Sequence, residues 1–185
     1  EPHGDIDYRA IRILPGDTER AVVNVLRYFD AGRALVFCQT REAVRHLHTA
    51  LRERGEQIAA DFTGSCLMGT GQFCTNPGLV VLLAGENTEA FISAVQERFA
   101  KATPGTLLSP GVEKSLRSGI ETLRKAGAKV LTGDETADAA RCCYSNTLLR
   151  VDGDTFLKRP HELQAEAFGN ASLCVVAGDV EQLLV

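Results

Sequence analysis

No apolar run in the 185 residues is long enough to span a bilayer, so no membrane partner is expected. The opening Glu1-Pro2-His3-Gly4-Asp5 has none of the character of a secretory signal. No C-x-x-C occurs among the six cysteines, Cys38, Cys66, Cys74, Cys142, Cys143 and Cys174, and adjacent Cys142 and Cys143 are poorly placed to pair. The four histidines do not stand at zinc-ligand spacing. His46 and His48 are two apart on a helical stretch and face different ways. These absences leave no metal site and describe a cytoplasmic protein with reduced thiols. Residues 1–57 hold no lysine: nine arginines there offset nine acidic residues, while residues 58–185 carry eleven basic against fifteen acidic. At a net charge of −4, neither nucleic acid nor an anionic membrane is an expected partner.

What is present suffices for a globular core. Hydrophobic residues make up 44% and charged residues 24%, which at this length suggests one domain or two small ones. Strand-like and helix-like stretches alternate. Residues 8–14 read as a first strand, ended by Pro15-Gly16, and a helix follows from Asp17 or Thr18 to Phe29. Residues 34–38 are a short apolar strand of the kind buried in a parallel sheet. Gln39-Thr40 leads into a helix bearing Val44, Leu47 and Leu51, which continues past Gly55 until Thr63-Gly64-Ser65 loosens it. Further strands are expected at 79–83, 128–131, 147–151 and 173–177. Thr88 is expected to cap one helix, and Ser109-Pro110 to open another with the stripe Val112, Leu116, Ile120 and Leu123. Asp152-Gly153-Asp154 reads as a turn. The class is α/β, with a mostly parallel sheet flanked by helices.

The most informative stretch is Gly69-Thr70-Gly71-Gln72-Phe73-Cys74-Thr75-Asn76-Pro77-Gly78. Its glycines let the backbone approach a ligand, and Asn76-Pro77-Gly78 forces a turn before Leu79-Val80-Val81-Leu82-Leu83, which reads as a buried strand. A cysteine on a tight turn at the mouth of a strand can serve as a nucleophile. The alternative is a small, buried, inert thiol. Gly69-Thr70-Gly71 is no dinucleotide fingerprint: Cys74 fills the third glycine position, and the stretch precedes a strand rather than following one.

Two resemblances sharpen this. Residues 33–43, Arg-Ala-Leu-Val-Phe-Cys-Gln-Thr-Arg-Glu-Ala, resemble the start of the second RecA-like domain of DEAD-box RNA helicases, a likeness covering about residues 5–55. It implies a RecA-like β-α-β-α piece at the N-terminus. No G-x-x-x-x-G-K-[ST] or D-E-A-D accompanies it, so ATP hydrolysis has no phosphate cradle or magnesium carboxylate to work with.

From about residue 51 onward, Gly71-Gln72-Phe73-Cys74-Thr75-Asn76-Pro77-Gly78, Leu107-Leu108-Ser109-Pro110-Gly111 and Glu166-Ala167-Phe168-Gly169 resemble the catalytic domain of aldehyde dehydrogenases of the α-ketoglutarate semialdehyde type. That likeness implies a small aldehyde substrate and NAD or NADP as cofactor, with no metal. It implies that Cys74 attacks the aldehyde carbon to give a thiohemiacetal. Hydride loss then leaves a thioester, which water hydrolyses to the carboxylate. Glu166 would orient the nicotinamide ribose with Phe168 beside it, and the Cys74 N–H would help hold the oxyanion. The family's general-base glutamate, oxyanion asparagine and dinucleotide domain have no counterpart here, so full turnover is not expected.

The two resemblances meet at residues 50–56, which suggests a chimera of 1–55 and 56–185, or one merged domain. The alternatives to a dehydrogenase-like fragment are an inactive chimeric folding module and an RNA- or ATP-related helicase fragment.

Overall fold

The computed structural model describes residues 9–29, 40–138 and 141–184. The chain divides into two compact units, Glu1–Arg54 and Gly55–Val185, the division falling within one helix.

In the first unit, α1 runs Thr18–Tyr28 after a single 3-10 turn at Pro15–Asp17. Residues 9–14, expected as a strand, have no regular structure. A strand needs a neighbour for its ladder, and no strand stands beside it among the described residues of this unit. Instead Arg9, Ile11 and Ile13 bound an apolar groove with Ala21, Val25 and Tyr28 of α1. The strand expected at 34–38 lies outside the described residues. α2 spans Arg41–Leu67, opened by Thr40, whose Oγ1 accepts from the Ala43 N–H at 3.1 Å. The expected loosening at Thr63-Gly64-Ser65 does not occur. Thr63 Oγ1 donates to the Ala59 carbonyl at 2.8 Å, which satisfies the hydroxyl within the helix. Ala59, Thr63 and Cys66, spaced four and three apart, are buried on one face, and that burial outweighs weak local propensity.

The second unit is built on a four-stranded sheet in the order β1 (Leu79–Leu83), β6 (Ala171–Ala177), β5 (Thr147–Asp152), β2 (Lys129–Thr132). β1 and β5 each run parallel to β6, and β2 runs antiparallel to β5. Parallel neighbours need a crossover connection. β2 and β5 are joined instead by a two-stranded ribbon, β3 (Thr136–Asp138) with β4 (Cys143–Tyr144), so antiparallel pairing results.

Both faces are covered. On one, α4 (Pro110–Lys125) lays Leu116, Ile120 and Leu123 against Leu149, Leu173 and Val175. On the other, α2 and α3 (Glu86–Lys101) place Cys66, Ile92, Val95 and Phe99 on Leu148 and Cys174. The alternation along β5 and β6 sends successive side chains into opposite cores. The unit is therefore an α/β fold with a mostly parallel sheet flanked by helices.

Three local expectations change. β1 is an edge strand rather than a buried one: Leu79, Val81 and Leu83 are more than a third exposed, and Val80 and Leu82 pack inward. α3 begins at Glu86, and Thr88 donates its hydroxyl to the Leu83 carbonyl instead of capping. Asp152-Gly153-Asp154 opens a short helix, α5 (Gly153–Lys158). Asp152 caps it, its carboxylate accepting from the Thr155 N–H at 2.8 Å and the Thr155 hydroxyl at 2.9 Å. A short α6 (Pro160–Leu163) follows, and α7 (Val180–Leu183) comes after β6. Ser109 behaves as read, accepting from the Val112 N–H at 3.3 Å ahead of Pro110.

Candidate functional site

Two loops meet at the amino ends of β1 and β6. The first carries residues 69–78 into β1, and the second carries residues 164–170 into β6. Their contact depends on Gly71, which is buried with φ +67°. A Cβ there would lie 2.1 Å from the Gly169 carbonyl oxygen. Only a residue without a side chain permits that approach.

Side chains then pin the first loop from both flanks. Gln72 Nε2 donates to the carbonyls of Gly69 (3.1 Å) and Thr106 (3.3 Å), and its Oε1 accepts from the Leu108 N–H at 2.7 Å. Asn76 Nδ2 donates to the Gly169 carbonyl at 3.0 Å, while its Oδ1 is buried without a partner. The Pro77 carbonyl accepts from the Ser172 hydroxyl at 2.8 Å, and the Leu173 N–H donates to Gly78 at 2.9 Å. The turn's own main-chain bonds run from Gln72 to Gly69, Asn76 to Phe73 and Gly78 to Asn76. The Cys74 N–H takes no part in them.

A cavity of about 300 Å³ opens between the loops, and Cys74, Glu166 and Phe168 all line it. The structure thus brings together the three residues singled out in the sequence, across more than ninety positions. Cys74 and Glu166 are exposed, and Phe168 is half-buried. Phe73, Leu79, Leu163 and Leu173 supply apolar wall, and Glu166 is the one charged lining residue. The cavity lies at the lower end of the size range of small-molecule sites, roughly 300–1,000 Å³.

The neighbouring cysteines differ from Cys74 in kind. Cys66 and Cys174 have no solvent exposure, and burial first of all pushes each thiol up to about 12. Both stay protonated and unreactive at neutral pH. Among the described residues no group of side chains could hold a metal ion, and no helix is long and apolar enough to cross a membrane.

The sequence marks Asn76 as a turn residue and signals no role for Gln72 or Ser172. Their polar atoms reach across 93, 34 and 95 residues respectively, and no local pattern encodes such partners.

Solved structures share this architecture. An aldehyde dehydrogenase from Bacillus cereus, in complex with NAD+, aligns over 70% of the chain and 27% of its own length, with a TM-score of 0.60 at 18% identity. A 1-pyrroline-5-carboxylate dehydrogenase from Thermus with bound NAD aligns over 70% and 26%, with a TM-score of 0.59 at 19% identity. The fold is that of an aldehyde dehydrogenase segment. The sequence agrees: an α-ketoglutaric semialdehyde dehydrogenase of Azospirillum brasilense is 34% identical over 134 residues, 72% of this chain and 25% of that protein. Its counterpart in Acinetobacter baylyi is 32% identical over 136 residues, 73% of this chain and 26% of that protein. The chain spans about a quarter of the length of these aldehyde dehydrogenases. No protein-family model matches it.

Proposed function

We propose that Cys74 is the nucleophile of an aldehyde dehydrogenase-type site, acting on a small aldehyde, which is oxidised to the carboxylate. The observation that supports this best is the shared cavity of Cys74, Glu166 and Phe168. Cys74 Sγ, as thiolate, forms a bond to the aldehyde carbon, and the carbonyl π pair becomes the oxyanion of a thiohemiacetal. The free Cys74 N–H is a donor for that oxyanion. NAD or NADP, when bound, would supply the hydride acceptor, and the hydride lost from the adduct carbon leaves Cys74 carrying a thioester. Water then releases the acid and returns the thiol. The residues present fit the nicotinamide-ribose end of such a cofactor: the Glu166 carboxylate would hold ribose hydroxyls, and Phe168 would give an apolar flank. The cavity volume matches that end alone and is too small for a whole dinucleotide.

Mass spectrometric mapping after brief iodoacetamide treatment tests the nucleophile, beside p-nitrophenyl acetate hydrolysis with a Cys74→Ser control. Cys74 should be alkylated well ahead of Cys142, and the serine variant should lose ester cleavage. Equal labelling at both sites, or hydrolysis unchanged in the variant, refutes the reading.

The resemblance of residues 5–55 to a DEAD-box helicase segment supports a second part of the proposal, a chimeric chain with its junction near residue 55. α2 runs through that point unbroken, as a junction inside a helix common to both parents would. The five described cysteines are all free, which supports a cytoplasmic setting.

A further inference from the structure

We propose that Gln72 is a positioning residue for the oxyanion step: its side-chain amide clamps a strained left-handed turn and so holds the Cys74 main chain with its N–H free. This rests on the reading of Cys74 as nucleophile. Three observations carry it.

The first is strain. Gly69, Thr70 and Gly71 stand in succession at φ +54°, +59° and +67°. Glycine takes that region readily, but Thr70 is β-branched, and such a residue stays there only where its surroundings impose it. The turn ends three residues before Cys74.

The second is the clamp. Both amide hydrogens of Gln72 are committed to main chain: Nε2 donates to the Gly69 carbonyl inside the turn and to the Thr106 carbonyl 34 positions away. Its Oε1 accepts from the Leu108 N–H. The Gln72 N–H also donates to Gly69, at 3.3 Å, so one residue closes the turn through backbone and side chain alike. Thr70 leans on the same neighbouring segment, leaving no room for a side chain on Gly105. That segment is anchored in turn. The Leu107 N–H donates to the Cys142 carbonyl at 2.7 Å, and Arg141 Nη2 to Thr106 Oγ1 at 3.2 Å.

The third is what the clamp leaves open. The turn bonds that follow run from Asn76 to Phe73 and from Gly78 to Asn76, and neither uses the Cys74 N–H. Gln72 spends its bonds on the main chain of other residues and acts on Cys74 through the backbone. Without them, Thr70 relaxes out of the left-handed region and rotates the peptides that follow, the Cys74 N–H among them. The oxyanion then loses its donor, while the sulfur on its exposed turn stays within reach of reagents.

Two reactions of the full chain separate positioning from a structural role. In alkylation by iodoacetamide the Cys74 thiolate forms an S–CH2 bond as iodide leaves, and no oxyanion develops. In acylation by p-nitrophenyl acetate the thiolate bonds to the carbonyl carbon and the π pair becomes an oxyanion. Its collapse expels p-nitrophenolate and leaves acetylated Cys74. Both are read at Cys74 by mass spectrometry, so the thiolate population cancels in their ratio. Gln72→Met keeps the length and removes all three side-chain bonds, whereas Gln72→Glu keeps the acceptor and removes both donors. In each, acylation should fall by about a hundredfold while alkylation holds within about threefold. Adding Thr70→Gly to Gln72→Met should recover acylation several-fold, because glycine adopts the left-handed turn without a clamp. Parallel loss of both reactions, or acylation within about threefold of the parent, overturns the positioning role. Failed recovery overturns the strained turn as its route. Cys66 and Cys174 are fully buried and should stay unlabelled in the same digests; their labelling beside Cys74 assigns Gln72 to folding and overturns the proposal. Release of p-nitrophenolate undiminished in Cys74→Ser overturns the nucleophile itself and this inference with it.

Discussion

Replacing Gly71 with alanine tests the loop junction that creates the cavity. The added Cβ would stand 2.1 Å from the Gly169 oxygen, 2.4 Å from its carbonyl carbon and 2.9 Å from the Asn170 nitrogen. All three are backbone atoms, so no side chain can rotate away. Ordinary contact requires the loops to part by about 1 Å, and such overpacking costs on the order of 1–3 kcal/mol. The left-handed backbone at φ +67° adds roughly 1–2 kcal/mol for an L side chain. We expect a loss of about 3 kcal/mol in urea unfolding, and a fall in Tm of roughly 6–12 °C for a chain of this size. Gly64→Ala is the matched control. Gly64 is exposed within α2, and nothing lies within 4 Å of its added Cβ. It should gain about 0.5–1 kcal/mol, because alanine has less unfolded entropy to lose. Both unfolding curves should keep the same denaturant slope. A Gly71→Ala variant within about 1 kcal/mol of the parent would refute the close approach, since the two penalties together exceed that margin.

Three further outcomes follow from the same structure. Asn170 is fully buried and donates to the Tyr144 carbonyl at 2.8 Å and to Asn146 Oδ1 at 2.9 Å. Asn170→Ala strips both acceptors and should cost about 2–3 kcal/mol by chemical denaturation; a loss under roughly 0.5 kcal/mol would show those atoms are satisfied otherwise. Stability should decline in alkali. Burial, and then its bond to Asp134, raise Tyr144 from 10.0 to about 12, while burial raises Cys66 and Cys174 from 9.0 to about 12. Raised values mean the stabilisation is complete below the unfolded pKa and is lost as pH climbs from about 9 toward 12. Melting followed by circular dichroism should show that slope, shallower in Tyr144→Phe, and a flat profile between pH 9 and 11 would contradict it. Asp152→Ala should cost about 1 kcal/mol at neutral pH through loss of the α5 cap. The backbone bond from Thr155 holds the Asp152 carboxyl below its usual range. Its contribution is therefore present above the ordinary carboxylate pKa and lost as pH falls through the lowered one. A pH-independent difference between parent and variant would count against the cap.

Much of the second unit could be read from sequence because its signals are local. Ser109-Pro110 opens α4 through a bond to a residue three positions on, and Leu116, Ile120 and Leu123 follow the helical period onto one face. The runs at 147–151 and 173–177 read as strands, and both are, with β6 buried throughout. β1 has the same composition yet sits at the sheet edge. Composition reports that a run can be buried, and only strand order decides whether it is. The continuity of α2 through Thr63-Gly64-Ser65 was likewise hidden, because the burial of Ala59, Thr63 and Cys66 that holds it is a property of the assembled core.

The site divides the same way. Sequence by itself determined that a cysteine stands on a glycine-rich turn ahead of an apolar strand, because turn chemistry and strand period act over a few residues. Only the tertiary structure decided that Cys74 shares a cavity with Glu166 and Phe168. Parallel pairing of β1 with β6 sets their amino ends side by side, and a glycine at 71 lets the two loops touch.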